Sequence, residues 1–339
     1  VAADVELPGG GEQGAHPGDR EQARRWVAEL DKYGIRAIGF VTGGGNDHLA
    51  EVCSWHPDRF IGFAHHSPFL PDAVERLERA VKEQGLRAYK LLAPNIEEPI
   101  ESPAAYPVWE KCAELGIPVL IHFGIQGGAG GIAWHENINP LKLHNVAKSF
   151  PEVPFVIPHF GCAWERETLQ LAWACPNVSV DTSGSNQWIR WVPGEVTVKY
   201  LFRKYYETIG PERIIFGSDS SWFPRGFAFR YLQDQVRDCL DLNMPDAHIQ
   251  LIFAGNAARL FKIGLICRKL PVLAIIQYCF TGQIRRNLCN IKLVLLPPAC
   301  CYCWRCCCRP VRRPRSLRQR RPRGRRSCSH RSQRRSRGY

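Results

Sequence analysis

YPVWEKCAELGIPVLIHFG, residues 106–124, reads as a helix, YPVWEKCAEL, running into a short strand, PVLIHFG, with a histidine near its far end. The strand half (118–124) is nearly continuous in apolar residues, the pattern of a strand buried on both faces. The same alternation extends in both directions. Towards the N-terminus it predicts strands over 36–42, 60–66 and 86–94; towards the C-terminus, over 154–161, 177–184 and 213–222. Amphipathic stretches separate them. DREQARRWVAELDKYG has Asp19 as its expected N-cap and Gly34 just past its end, and PDAVERLERAVKEQ carries Pro71 in its first turn with Val74, Leu77 and Val81 on one face. Strands that alternate with helices imply parallel strands joined by crossover helices. The expected fold class is therefore α/β, a TIM (β/α)8 barrel, for which seven strands are visible. Because the sequence opens with a loop and a helix, the absent member is expected to be the first strand. Residues 1–19 would then be a remnant of the loop after it, 20–263 the barrel and 264–339 a separate tail.

Composition supports that last boundary. The chain of 339 residues has a net charge of +13, which taken alone points to a nucleic-acid binder. Residues 264–339 hold 18 Arg and 2 Lys with no Asp or Glu, a charge of +20, which leaves −7 on the first 263 residues. Ten of the 15 cysteines also fall in the tail. The other five, Cys53, Cys112, Cys162, Cys175 and Cys239, are scattered, as reduced thiols of a cytoplasmic protein are. No secretory signal opens the chain, and the apolar run GLICRKLPVLAIIQYCF (264–280) falls short of the roughly 20 residues of a membrane span. Three readings of the tail stay open: a basic arm that binds nucleic acid, a lipidated or soft-metal cysteine cluster, and a gene-model artefact. Its composition fits neither a core nor a regular arm and favours the artefact. A first residue that is Val and a single Met in the whole chain lead to the expectation of a missing start.

The active site of a (β/α)8 barrel lies at the C-terminal ends of its strands. Three predicted strands end in a candidate metal ligand: His122 in VLIHFG, His159 in VIPHFG and Asp219 in IIFGSDSSW. Singly, each histidine reads as a structural residue and the aspartate as a helix cap. Three at equivalent strand ends converge on one mouth, where two imidazoles and a carboxylate suit Zn²⁺, or Mn²⁺ with more oxygen ligands. Lys90 ends another strand at the same mouth, and Trp222 and Arg225 follow Asp219; all three are candidate substrate-binding residues, with a solvated loop and a packed indole as the plain alternative for the last two. His65 and His66 are adjacent on a strand, so at most one of them faces the pocket. His16 sits in a Gly-rich loop, His135 and His144 lack metal-ligand spacing, and GGGND (43–47) lacks the Lys-Ser/Thr of a phosphate loop.

HPDRF (56–60), YKLLAP (89–94), YPVWEKCAELGIPVLIHFG (106–124), FVIPHFG (155–161), VSVDTSG (178–184), ERIIFGSDSSW (212–222) and GNAARLF (255–261) occur in an order that resembles the amidohydrolase superfamily. The resemblance is to its amidohydrolase-related branch, which includes aminocarboxymuconate-semialdehyde decarboxylase and resorcylate-type decarboxylases. It implies that His122 is a metal ligand and that Asp219 both ligates metal and transfers protons. It implies that His159 orients or activates the metal-bound water, polarises the substrate, or binds a second metal in two-metal relatives. Lys90 corresponds to a lysine that is carbamylated in two-metal relatives and contacts substrate or is structural in this branch; the latter is expected here. One departure stands out. The His-x-His pair that ends the family's first strand is absent and is expected upstream of Val1, so the three residues would be half of a site. The implied function is a metal-dependent hydrolase acting on a small carboxylated or cyclic substrate through a metal-activated water. A non-oxidative decarboxylase on the same scaffold is the alternative, and a truncated inactive chain with a nucleic-acid-binding tail is the alternative of another class. A small-molecule substrate and, with less to support it, a homodimer are the expected partners.

Overall fold

Seven runs of apolar residues form the strands. In this computed structural model, which describes residues 17–41, 44–125 and 135–264, they are β1 (Ile38–Phe40), β2 (Phe60–His65), β3 (Ala88–Leu92), β4 (Val119–His122), β5 (Phe155–Ile157), β6 (Val178–Asp181) and β7 (Ile214–Ile215). Every neighbouring pair is parallel and the spatial order is the sequence order, β1 to β7. The helices that return the chain are α1 (Pro17–Tyr33), α2 (Asn46–Ser54), α3 (Ala73–Lys82), α4 (Tyr106–Leu115), α5 (His144–Ser149), α6 (Glu165–Ala174), α7 (Ser185–Trp188), α8 (Val198–Ile209), α9 (Phe229–Asp241), α10 (Asp246–Gln250) and α11 (Asn256–Leu260). The sheet curls into a half-barrel of the TIM type. Among the described residues β1 and β7 do not pair, so the seam lies where the sequence places the absent strand.

Strand alternation divides the apolar residues into two layers. Outward residues such as Phe60, Tyr89, Leu91, Ile121, Phe155 and Val180 pack against the helices. Inward residues Ile61, Phe63, Ala88, Leu120, Val156 and Ile215 form a separate cluster inside the sheet, and Leu260, Phe261 and Ile263 pack against it. Phe261 meets Phe63 at 4.8 Å between ring centroids. The register sets Lys90 beside Leu120, and Leu92 beside His122, which puts Lys90 one row deeper in the barrel than His122. Buried Asn256 pins α11 beneath β7 by donating from Nδ2 to the carbonyls of Pro211 (2.7 Å) and Ile214 (2.8 Å).

At the seam, α1 supplies the packing that strand pairing does not. Gln22 accepts from the backbone N–H of Phe223 at 2.9 Å and donates to its carbonyl at 3.4 Å. Trp26, fully buried, lies against Phe40 and Phe223, and Tyr33 stacks on Phe229 of α9 at 4.1 Å. One aromatic helix face thus spans β1, the segment after β7 and α9; large aromatic side chains are the residues that bury most area per contact.

Several local expectations need correction. α1 begins at Pro17, so Asp19 is not its cap; it lies in the first turn and bonds His48 Nε2 at 2.8 Å. The strands are shorter than predicted, with β7 only two residues long, because barrel strands here pair for a few residues and then diverge into loops. His159 and Asp219 therefore lie beyond strand ends rather than on them, two residues after β5 and four after β7. Gly34 adopts the left-handed φ of +66° expected just past a helix. The five scattered cysteines are free and buried. Among the described residues no helix is long and apolar enough to cross a membrane. Residues 1–16, including His16, and residues 265–339, with the basic cysteine-rich stretch, lie outside the described residues.

Candidate active site

A cavity of about 920 Å³ opens at the C-terminal ends of the strands and reaches into the half-barrel. Its inner walls include the inward apolar residues Ile61, Phe63, Leu120, Val156 and Ile215, and its polar groups include Lys90, His122, His159, Asp181, Ser183 and Asp219. Of the six residues singled out from the sequence, five line this one cavity: Lys90, His122, His159, Asp219 and Trp222. Trp222 also stacks on Phe40, with 5.2 Å between centroids. The sixth, Arg225, does not line it and instead pairs with Asp219, Nη2 to Oδ2 at 3.5 Å.

His122 ends β4 and is 8% exposed. Its Nε2 is buried and has no hydrogen-bond partner among the described residues. Burial, with the positive fields of His159 and Lys90 behind it, pushes its pKa well below the usual imidazole range, so the ring is neutral at pH 7. Imidazole ligates a metal in its neutral form, so His122 is in the protonation state that ligation requires. The His122 and His159 rings stand edge to face, 5.0 Å apart.

Lys90 is 3% exposed, and burial lowers its pKa from 10.5 to about 8 against the opposing pull of Asp181 and Asp219. An ammonium group inside an apolar wall is costly unless something anionic is brought to it.

His159 is held in an unusual backbone. From His159 to Ala163, five successive residues have φ between +47° and +87°, and only Gly161 among them is a glycine. Left-handed backbone costs about 1–2 kcal/mol per non-glycine residue and is seldom found in runs. Long-range hydrogen bonds hold this turn in place. Trp188 Nε1 donates to the His159 carbonyl (2.8 Å), the Tyr205 hydroxyl donates to the Phe160 carbonyl (2.8 Å), and the His159 N–H donates to Asp181 Oδ1 (3.2 Å). Strain sustained by its surroundings in this way clusters at functional sites. Asp219 is also left-handed, at φ +52°. It and His159 converge on Gly184, where a Cβ would lie 3.0 Å from His159 Nδ1 and 3.2 Å from Asp219 Oδ2. Gly184, itself at φ +62°, is the residue that lets the imidazole and the carboxylate approach each other.

Histidines 65 and 66 have other tasks. His65 Nδ1 donates to the Lys90 carbonyl at 2.9 Å, and His66 Nε2 to the Ala73 carbonyl at 3.0 Å. Neither lines the cavity. Sequence reasoning assigned no role to Asp181 and Ser183, although VSVDTSG ends its strand on an aspartate; their importance depends on contacts with His159, 22 and 24 residues away.

His122 and Asp219 fit a divalent cation in donor chemistry, and the orphaned Nε2 has no other partner. Among the described residues, however, no three His, Cys, Asp or Glu side chains are grouped closely enough to hold an ion.

An amidohydrolase family profile matches residues 17–263. Over 82 residues the chain is 33% identical to 2-amino-3-carboxymuconate-6-semialdehyde decarboxylase of Dictyostelium discoideum, covering 23% of this chain and 22% of that protein. Over 249 residues it is 28% identical to 2-keto-4-carboxy-3-hexenedioate hydratase of a Sphingobium species, covering 64% and 70%. The matched part thus spans about a fifth of the first relative and under three quarters of the second. The fold is similar to that of 5-carboxyvanillate decarboxylase of Sphingomonas paucimobilis (TM-score 0.54, 19% identity, 71% of this chain and 83% of that one). It is also similar to the 5-carboxyvanillate decarboxylase of Novosphingobium aromaticivorans, complexed with manganese and a nitrobenzoic acid (TM-score 0.52, 19% identity, 70% and 79%). With most of its length matched by the family profile, the chain belongs to the amidohydrolase family.

Proposed function

We propose that this site removes carbon dioxide, without oxidation, from a small unsaturated or aromatic carboxylate. The observation that carries the proposal is Lys90: a buried cation one row below His122, set among the inward apolar residues Ile61, Phe63, Leu120, Val156 and Ile215 of the cavity. Those walls accept a flat hydrocarbon skeleton, and Lys90 attracts an anionic group on it. Loss of carbon dioxide leaves electrons on carbon, and that carbon must take up a proton. Asp219 and His159, facing each other across Gly184, are the groups placed to hold and deliver it. The apolar walls would keep water from a bound substrate and strengthen each of these interactions. A divalent cation held by His122 and Asp219 would supply positive charge to stabilise the anion that develops on the substrate. The paired imidazoles favour Zn²⁺, and manganese in the Novosphingobium relative favours Mn²⁺.

Addition of water is the second reading, a hydrolysis or hydration on the same residues. It is favoured by the hydratase relative, which aligns over 249 residues against 82 for the decarboxylase. Incubating the full chain with Mn²⁺ or Zn²⁺ and 5-carboxyvanillate, 2,6-dihydroxybenzoate or the aminocarboxymuconate semialdehyde separates the two. One carbon dioxide released per product, with solvent deuterium on the carbon that lost it, is the expected result. A product that keeps its carboxylate and gains water refutes decarboxylation. Neither product, together with less than stoichiometric metal binding, favours the inactive alternative.

A further inference from the structure

The reaction just described gives Asp181 nothing to do, yet it is one of the most heavily used side chains at the mouth. Its Oδ1 accepts from three donors: the backbone N–H of His159 (3.2 Å), the backbone N–H of Ser183 (2.8 Å) and the Ser183 hydroxyl. Ser183 then faces the imidazole with two oxygens, its carbonyl 2.6 Å and its Oγ 2.9 Å from His159 Nδ1. A carbonyl has no proton to give, and the hydroxyl proton is committed to Asp181. Both oxygens therefore accept, and Nδ1 must donate. In the neutral ring this leaves Nε2 with its lone pair.

We infer that Asp181 is a positioning residue: by clamping the backbone of His159 and the turn at Ser183, it sets the His159 tautomer and leaves Nε2 as the basic nitrogen of the mouth. The inference rests on reading His159 as the imidazole of the site. It accounts for two features together. The left-handed turn from His159 to Ala163 needs an anchor at its first N–H, and Asp181 is that anchor. The acceptor pair at Nδ1 needs the Ser183 turn held still, and the same carboxylate oxygen holds it. Charge matters as well as shape, because a hydrogen bond to a carboxylate is roughly twice as strong as one to a neutral acceptor. Second-sphere carboxylates that set an imidazole's orientation and basicity are typically worth 10–100-fold in affinity or activity.

The test uses full chain carrying ¹⁵N-histidine, kept in a chelator so that no metal fixes the ring, with the His159 signals assigned from His159→Gln. Wild type is expected to show only the Nδ1–H tautomer, with slowly exchanging amide protons at His159 and Ser183. Asp181→Ala is expected to give a mixture of both tautomers and exchange at both amides faster by about tenfold or more, at the low end of what removing their acceptor implies. Should Asp181→Ala fail to fold, Asp181→Asn carries the test: it keeps the shape and loses the charge, and a smaller change in the same two readouts is expected. An Nε2–H tautomer in wild type overturns the inference, and so does a folded Asp181 variant with the wild-type tautomer and amide protection. None of these signals depends on turnover. A chain without decarboxylase activity but with the predicted tautomer change sinks the functional reading and leaves this one standing.

Discussion

Replacing Lys90 by methionine stabilises the metal-free chain at neutral pH. The side chain is 3% exposed, and burial lowers its pKa from 10.5 to about 8 even with Asp181 and Asp219 pulling the other way. At roughly 1.4 kcal/mol for each pH unit, the folded protein holds this charge at a cost of about 3 kcal/mol. The sign follows from proton counts. Below pH 8 both folded and unfolded chains are protonated, so the cost is present in full. Between pH 8 and 10.5 the unfolded chain keeps a proton that the folded chain has released, so wild-type stability rises with pH across that window. Methionine has a similar length and no charge and leaves the cost out at every pH. Urea titrations at pH 7, 8, 9 and 10, with chelator present, should therefore find Lys90→Met more stable than wild type by about 3 kcal/mol at pH 7, with the gap closing towards pH 10.5. In a domain of this size the neutral-pH gain corresponds to roughly 6–12 °C in Tm. A methionine variant no more stable than wild type at pH 7, or a gap that does not narrow with pH, refutes the picture of a costly buried cation. The same variant should lose affinity for any carboxylate ligand, because the group that destabilises the empty cavity is the one that attracts the anion.

Three further outcomes follow from single contacts. His122→Leu removes a buried nitrogen with no partner, so metal-free stability should hold or rise by about 1–3 kcal/mol while Zn²⁺ or Mn²⁺ affinity by calorimetry falls by about 100-fold or more. Unchanged metal affinity removes His122 from the site. Gly184→Ala places a methyl group against His159 and Asp219 at a φ of +62°, and chemical denaturation should register a loss of about 1–3 kcal/mol together with displaced His159 signals. Asn256→Ala leaves the carbonyls of Pro211 and Ile214 buried and unpaired beneath β7, at a cost of about 2–4 kcal/mol in thermal or urea unfolding. A loss under 1 kcal/mol at Asn256 implies that water replaces the amide there.

The legible part of the sequence was the part governed by burial. Apolar runs marked all seven strands, and the place of Lys90 and His122 at the mouth followed from their positions near the ends of two of those runs. What was not legible depended on partners distant in sequence. Nothing in HFGCA announces a left-handed turn, since four of its five residues ordinarily avoid that conformation. The turn exists because Asp181, Trp188 and Tyr205 satisfy its backbone. Asp19 looked like a cap because its position suited one, but the helix begins at Pro17, two residues before it, and the carboxylate bonds His48 on α2. Arg225, read as a substrate group, faces Asp219 for the same reason: a charge in a loop pairs with the nearest opposite charge, which the local sequence does not reveal.

The case for the mouth as a functional site does not rest on any one of its irregularities. Buried polar atoms without partners also occur at Trp26, Asn95, Glu101, Trp109 and Thr168, none of which lines the cavity, so the orphaned nitrogen of His122 alone marks nothing. The mouth differs because costs of three separate kinds coincide there: an unpartnered imidazole nitrogen, a buried cation with a lowered pKa, and a run of left-handed backbone. Each opposes folding, and each would be relieved or used by an occupant. A cation would meet the nitrogen and an anion the ammonium, beside the imidazole that the strained turn presents. Local rules broken together, in one place and in complementary senses, point to a binding site and not to an imperfectly packed core.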